Sequence, residues 1–381
     1  MACEYRYGLP EEELDILDLI NLVFSQSKIP HHFEELLPKM YGQPGYAPYH
    51  YVAKKDGRLC AVVGVLPQEL RLHEGKTLKS GYVGSVSVHG RNRGEGHMQE
   101  LMRMSIEDCK SKGYDMMALG GQRQRYGYYG FEQGCPVYHF SVAPANIRHA
   151  LKDVNASDLS FRKIADAADP VLDALYALYL QQEMVCHRER EKFLTIMQSW
   201  QHDFYAIEDA ESGACLGYLN ARKEEIFELV LADEGLLLQV IKGWYELHNG
   251  AIFSIHIPFH QTGRAEAIKA FANGWSAVDE GMILIFNWPR VLQLLLEFKA
   301  RKCPLESGRF IFEIEGEGRY AVSVQGKNVS VVPTTEQPEK VFNPCTAVEF
   351  FFSAFGALQF TADVPKNWLP LPLYIPRVDK F

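Results

Sequence analysis

Apolar and polar positions divide this chain into short alternating runs and two kinds of helical stripe. The run from Tyr5 to Leu9 alternates as a short strand. Residues 10–27 begin with proline and acids and place Leu14, Ile16, Leu17, Leu19, Ile20 and Val23 at helical spacing, which predicts an amphipathic helix with an acidic first turn. Residues 49–72 hold two strand-like runs around Lys55-Asp56-Gly57, a hairpin signal. Residues 81–90 predict a fourth strand. Residues 96–113 predict a helix with Met98, Leu101, Met102, Ile106 and Cys109 close to one face. Residues 114–121 and 137–143 predict two more strands, and residues 144–153 read as a connection.

From residue 160 to 290 the same logic returns. Residues 202–222 form a second hairpin pattern, residues 225–247 a strand followed by a helix, and residues 250–274 another such pair. After residue 296 the texture changes. Residues 309–333 alternate as three strands with glycine turns, residues 343–356 read as a capped helix, and the chain ends in the proline-rich stretch NWLPLPLYIPRVDKF. The pattern predicts an α/β (α+β) fold with two mixed-sheet domains, 1–148 and 149–293, followed by a small α+β domain, 294–381. It is not a regular doubly wound βαβ series.

Charge narrows the partners. The net charge is −9, and the acid excess lies in residues 151–290, with 12 Lys/Arg against 21 Asp/Glu. No large basic block is present, so nucleic acid is not the expected partner. The eight cysteines stand singly with no C-x-x-C pair, the pattern of reduced thiols in a cytoplasmic protein. No apolar run reaches the ~18 residues that read as a membrane span.

The candidate chemistry sits between the fourth strand and the helix that follows, in SVSVHGRNRGEGHMQELM, residues 85–102. A turn rich in backbone N–H groups at a helix N-terminus binds phosphate oxygens, because unpaired donors and the helix dipole both favour an anion there. Gly94 and Gly96 allow close backbone approach, and Arg91 and Arg93 add charge. The spacing is R-x-x-G-x-G from Arg91, which excludes the dinucleotide fingerprint. The stretch Glu74-Gly75-Lys76-Thr77 is not a triphosphate loop, since Leu70 stands where the first glycine is needed.

Strand, R-x-x-G-x-G and helix together resemble the acetyl-CoA signature of the GNAT N-acetyltransferase superfamily. The resemblance implies that Ser85, Val86 and Val88 face the pantetheine arm. It implies that Arg91, Asn92, Arg93, Gly94, Glu95, Gly96, His97 and Met98 supply the pyrophosphate cradle. Glu95 departs from the expected chemistry unless its acid points outward. Residues 125–134, RYGYYGFEQG, resemble the family's Y-x-x-x-G-F. That implies Tyr126 as the general acid on the departing thiolate, with Tyr128 and Tyr129 as rivals. A phenol with a reference pKa of about 10 stays protonated at neutral pH.

The whole chain resembles the Eis type (enhanced intracellular survival) of this superfamily: a GNAT domain, a degenerate GNAT-like domain and a sterol-carrier-like C-terminal domain. That resemblance implies direct attack by a cationic amine on acetyl-CoA. The amine would be an aminoglycoside-like molecule, a polyamine or a lysine side chain. The α-carboxylate of Phe381 would be the base, and the protein a homo-oligomer. A carboxyl of reference pKa about 3.3–3.7 needs burial or a relaying water for that role. The alternative is a lipid or acyl-CoA carrier, or a sensor without transferase activity.

Other stretches read more simply. No metal site is expected: His31 to Glu35 has no second half, although His31 and Phe33 would border the acceptor pocket under the resemblance. Residues 186–191, CHRERE, read as a solvated helix face. His256 and His260 have no partner at catalytic spacing.

Overall fold

The computed structural model describes residues 3–26, 29–360 and 363–381. In chain order it begins with β1 (Glu4–Tyr7), α1 (Glu13–Ser25), β2 (His50–Lys55), β3 (Arg58–Arg71), β4 (Thr77–Val88), α2 (His97–Ser111), β5 (Met116–Leu119) and β6 (Glu132–Val142). Next come β7 (Leu159–Lys163), β8 (Asp203–Asp209), β9 (Cys215–Arg222), β10 (Glu225–Leu231), α3 (Leu237–Leu247), β11 (Phe253–Pro258) and β12 (Gly274–Ile285). The last stretch holds α4 (Trp288–Lys302), β13 (Gly308–Ile314), β14 (Gly318–Gln325), β15 (Asn328–Pro333), β16 (Lys340–Phe342) and α5 (Pro344–Phe352). The fold is mixed α/β, as the alternation predicts. Ser27, the last residue of the first helical stripe, lies outside the described residues. Residues 144–153 are more than a connection, because Pro144–Ala150 forms a short helix with proline in its first turn.

Residues 1–135, 279–373 and 380–381 form one compact unit, and residues 136–278 and 374–379 the other. In the first unit the strands run β1-β2-β3-β4-β5, followed by the end of β12. All neighbours are antiparallel except β4 and β5, which are parallel from Ser80↔Met116 to Val83↔Leu119. Helix α2 buries Leu101, Met102 and Cys109 with Val63, Val65, Val83, Met117 and Phe131. Its i, i+1, i+8 spacing puts these three side chains on one face, which is the face the sequence marks as apolar.

The same unit contains a four-stranded sheet in the order β15-β14-β13-β16. Phe310, Phe312, Phe342, Phe350 and Phe351 pack ring to ring on it, with centroid separations from 4.8 to 6.3 Å. Asn343 caps α5, accepting from the Thr346 amide at 2.9 Å.

The second unit repeats the strand logic. Its order is β7-β8-β9-β10-β11-β6, antiparallel except for β10 and β11. Helix α3 buries Val240, Ile241 and Trp244 with Leu219, Ile226 and Ile255. Residues 186–191 correct the expectation of a solvated helix face. Residues 187–189 are not helical, and Arg188 is only 1% exposed. Its guanidinium binds Glu228 at 2.8 Å and Asp379 at 2.7 Å and lies over the Tyr179 ring. Two carboxylates and an aromatic face offset its desolvation, so a charge written in a polar run is buried.

Candidate active site

The site grows from an irregularity in β4. Against β3, Val62 pairs Ser87 and Gly64 pairs Gly84, so Val63 alone stands opposite Ser85 and Val86. This bulge turns Ser85 to φ +52°. On the other side, the β5 pairing ends at Val83. The remainder of β4 therefore leaves its neighbour and presents main-chain N–H and C=O groups at an edge, the geometry that an extended ligand can join as a strand.

After β4 the chain tightens through Gly90–Asn92. The Arg91 amide donates to His89 Nδ1 at 3.2 Å, and the Asn92 amide donates to the His89 carbonyl at 2.9 Å. Gly94 and Gly96 both take the left-handed region, at φ +84° and +82°. Gly96 is the N-cap of α2 and offers no side-chain cap. The first amides of a 15-residue helix thus point at the turn with no capping side chain, together with the positive end of the dipole.

A cavity of about 550 Å³ collects these features. Val86, Val88, Asn92, Arg93, Gly94, Gly96, His97 and Met98 line it, as do Val23, Gln99 and Arg125. The other three cofactor-binding candidates, Ser85 of the pantetheine set and Arg91 and Glu95 of the cradle, are not among the lining residues. Arg91 is exposed. The Ser85 hydroxyl turns away from the cavity, into a buried chain. The Glu95 carboxylate is held by Lys55 at 2.7 Å and His97 Nε2 at 3.1 Å, so its charge is compensated rather than aimed at a ligand.

Ser85 leads to residues that spacing does not reveal. Its Oγ lies 2.7 Å from the Tyr41 hydroxyl, which lies 2.9 Å from His50 Nε2. His50 Nδ1 faces the Tyr46 carbonyl at 2.8 Å. The carbonyl only accepts, so Nδ1 carries the proton, Tyr41 donates to Nε2, and Ser85 donates to Tyr41. Burial holds the His50 imidazole neutral and pushes its pKa down to about 4.

Phe381 lies beside this chain. Gly64 and Gly84 are register partners, and together they form a seat without side chains. A Cβ on Gly64 would meet the Phe381 ring at 2.5 Å, and one on Gly84 would meet the Phe381 carboxyl carbon at 2.6 Å. Tyr41 and His50 flank the ring, with centroids at 6.2 and 6.0 Å. Lys39 Nζ donates to the Lys380 carbonyl at 2.7 Å, and Lys380 Nζ donates to Glu280 at 3.0 Å. Trp368, Leu371 and Leu373 are buried upstream. Burying side chains of this size contributes roughly 1.5–3 kcal/mol each. The terminus is docked, and its carboxyl group sits where β4 leaves β5.

Tyr126 ends a short helix, Arg123–Tyr126, beyond β5. Its ring packs in the core that holds Leu101, Leu119, Phe131 and Leu284. Burial raises its pKa, with Arg125 opposing, so the phenol is the neutral form at physiological pH. Its rivals differ in setting: Tyr128 is 78% exposed and Tyr129 is half-buried.

Residues 4–134 match the family model described as an acetyltransferase (GNAT) domain. That segment of the chain carries a GNAT-type acetyltransferase domain, which supports an enzyme of the GNAT type. Solved structures share the fold along the whole chain. A probable N-acyltransferase of Enterococcus faecalis is 17% identical, with both chains covered in full and a TM-score of 0.70. A GCN5-related N-acetyltransferase from Anabaena variabilis is 14% identical, again with full coverage of both, at 0.69. Eis1 of Mycobacterium abscessus is 12% identical, with 99% of this chain and 100% of that one covered, at 0.66. No curated protein matches. GNAT domains in general use acetyl-CoA as the acyl donor. Among the described residues, no helix is long and apolar enough to cross a membrane.

Proposed function

We propose that this GNAT enzyme transfers the acetyl group of acetyl-CoA to a cationic amine by direct attack. The observation that carries the reading is the cavity itself. It joins the freed edge of β4, the uncapped start of α2 and two guanidinium-bearing residues, Arg93 and Arg125. The pyrophosphate would rest on the amides from Asn92 to Met98, and the pantetheine would extend β4 at Val86 and Val88.

The acetyl carbonyl would be polarised by β4 main-chain amides near the bulge. The cationic amine loses one proton to the Phe381 carboxylate and attacks the thioester carbon. The C–S bond breaks, and Tyr126 gives its proton to the thiolate. The second nitrogen proton leaves to water, from which the Tyr126 phenolate is reprotonated after it has served the thiolate. The docked terminus and the buried, neutral phenol support these two roles. The acceptor is an aminoglycoside-like molecule, a polyamine or a lysine side chain, which suits the acid excess of residues 151–290.

The same reading takes residues 1–148 as the catalytic domain, 149–293 as a degenerate GNAT-like domain and 294–381 as a sterol-carrier-like domain. The shared strand order of the two units supports the repeat. It also takes the protein as a cytoplasmic homo-oligomer of 43.3 kDa chains, which light scattering measures directly.

The test is a panel of amines mixed with acetyl-CoA and enzyme, with free thiol followed over time. Thiol release that depends on an amine, and falls about 10²–10⁴-fold in Tyr126→Phe at unchanged CoA affinity, supports transfer with that acid. Tight CoA binding with no thiol release against any amine identifies a carrier or sensor and overturns it.

A further inference from the structure

Beside the turn lies a cluster of three side chains to which the proposed acyl transfer gives no chemical step, although His97 also lines the cavity. Cys3 precedes β1, Cys60 is buried on β3, and His97 opens α2. One ligand atom from each lies within 4.8 Å of the other two. We propose that Cys3, Cys60 and His97 form a binding site for a thiophilic divalent cation of zinc's class.

Three features of the geometry point to a cation. The first is spacing. Tetrahedral zinc has bonds of about 2.3 Å to sulfur and about 2.0–2.1 Å to nitrogen, which puts S and N ligands about 3.6 Å apart. Cys3 Sγ stands 3.7 Å from His97 Nδ1.

The second is the tautomer. His97 Nε2 faces the Glu95 carboxylate at 3.1 Å, and Lys55 holds Glu95 from behind at 2.7 Å. An ionised carboxylate only accepts, so Nε2 carries the proton, and the Nδ1 lone pair faces the Tyr5 hydroxyl at 2.8 Å and Cys3 Sγ at 3.7 Å. A ligating imidazole whose other nitrogen donates to a carboxylate is the usual outer arrangement of a zinc site.

The third is the fourth position. The Tyr5 hydroxyl lies 2.8 Å from Nδ1, and that phenolic oxygen or a water in its place completes four ligands. Two thiolates and an imidazole select zinc-class cations over magnesium and calcium, which take oxygen ligands.

The site joins the N-terminal strand, β3 and the first residue of α2. His97 also lines the 550 Å³ cavity. A bound cation would therefore brace the turn from below. This consequence rests on the proposed acetyl-CoA site, whereas cation binding itself does not.

Cobalt(II) added to the reduced, full-length chain tests the proposal. The expected result is equimolar binding with a thiolate-to-cobalt charge-transfer band and the intense visible bands of tetrahedral cobalt, both bleached by zinc. Cys3→Ser, Cys60→Ser and His97→Gln each remove or shift these bands, while Cys109→Ser leaves them unchanged. Should the Cys60 or His97 variants fail to fold, the wild-type spectrum and the partly exposed Cys3 variant decide. Absence of the charge-transfer band in reduced wild-type protein overturns the proposal, as does its persistence in Cys3→Ser. Acetyl transfer is measured separately, so an enzyme that turns over but takes no cobalt overturns this inference alone.

Discussion

The carboxyl carbon of Phe381 lies 2.6 Å from the point where a side chain on Gly84 would begin. No side chain can stand at residue 84 while the terminus keeps its place. Ser85 follows at the bulge, and Val83, before it, is the last β4 residue paired with β5. One glycine thus admits the terminus to the point where two strands part.

Gly84→Ala should displace the terminus and lower kcat by about 100-fold, the scale expected when a reacting group is misplaced by about 1 Å. Steady-state kinetics on the variant, and on a chain ending at Lys380, check this. In the shortened chain the same substitution should have little further effect, because the group it displaces is gone.

Gly96→Ala meets nothing closer than the Gln99 side chain at 3.8 Å, so its cost is conformational. A left-handed φ costs a non-glycine residue roughly 1–2 kcal/mol. If the turn holds the diphosphate, calorimetry should show CoA binding weakened by about tenfold, with kcat at saturation little altered.

Arg188→Leu should destabilise the protein by about 3–5 kcal/mol, since it leaves Glu228 and Asp379 buried without their cation. Urea unfolding measures it. A change under 1 kcal/mol would mean that solvent reaches this group.

Stability should fall on mild acidification. Burial pushes both His50 and His202 down to about 4, below the ordinary imidazole value near 6.5. Between these values the unfolded chain binds protons that the folded chain refuses. The stabilisation is present in full above about 6.5 and is lost as the pH falls toward 4, on the order of 3 kcal/mol for each residue. Urea midpoints from pH 7.5 to 4.5 check the slope, and His50→Gln should reduce it by about half, leaving the share of His202.

The turn was legible because its chemistry is local. Two glycines, a basic flank and a helical stripe within twelve residues specify a backbone conformation without help from the rest of the fold. The apolar tail was legible for a similar reason, since Trp368, Leu371 and Leu373 are too apolar for a loose end. Tyr41 and His50 were not. Tyr41 ends a short helix and His50 begins β2, so only tertiary packing sets their partners, and neither residue type marks a motif. Arg188 was misread because a run of charges implies solvent, while Asp379 reaches it across 191 positions. Cys3 precedes β1, Cys60 lies on β3 and His97 opens α2, so no ligand spacing along the sequence joins them.

The most direct measurement is single-turnover acetyl transfer by a chain extended with one glycine beyond Phe381. The extension converts the Phe381 carboxylate into an amide and leaves the turn intact. The expected result is a rate lowered by about 100-fold at unchanged CoA affinity. A rate equal to that of the natural chain would contradict a terminal carboxylate acting as the base.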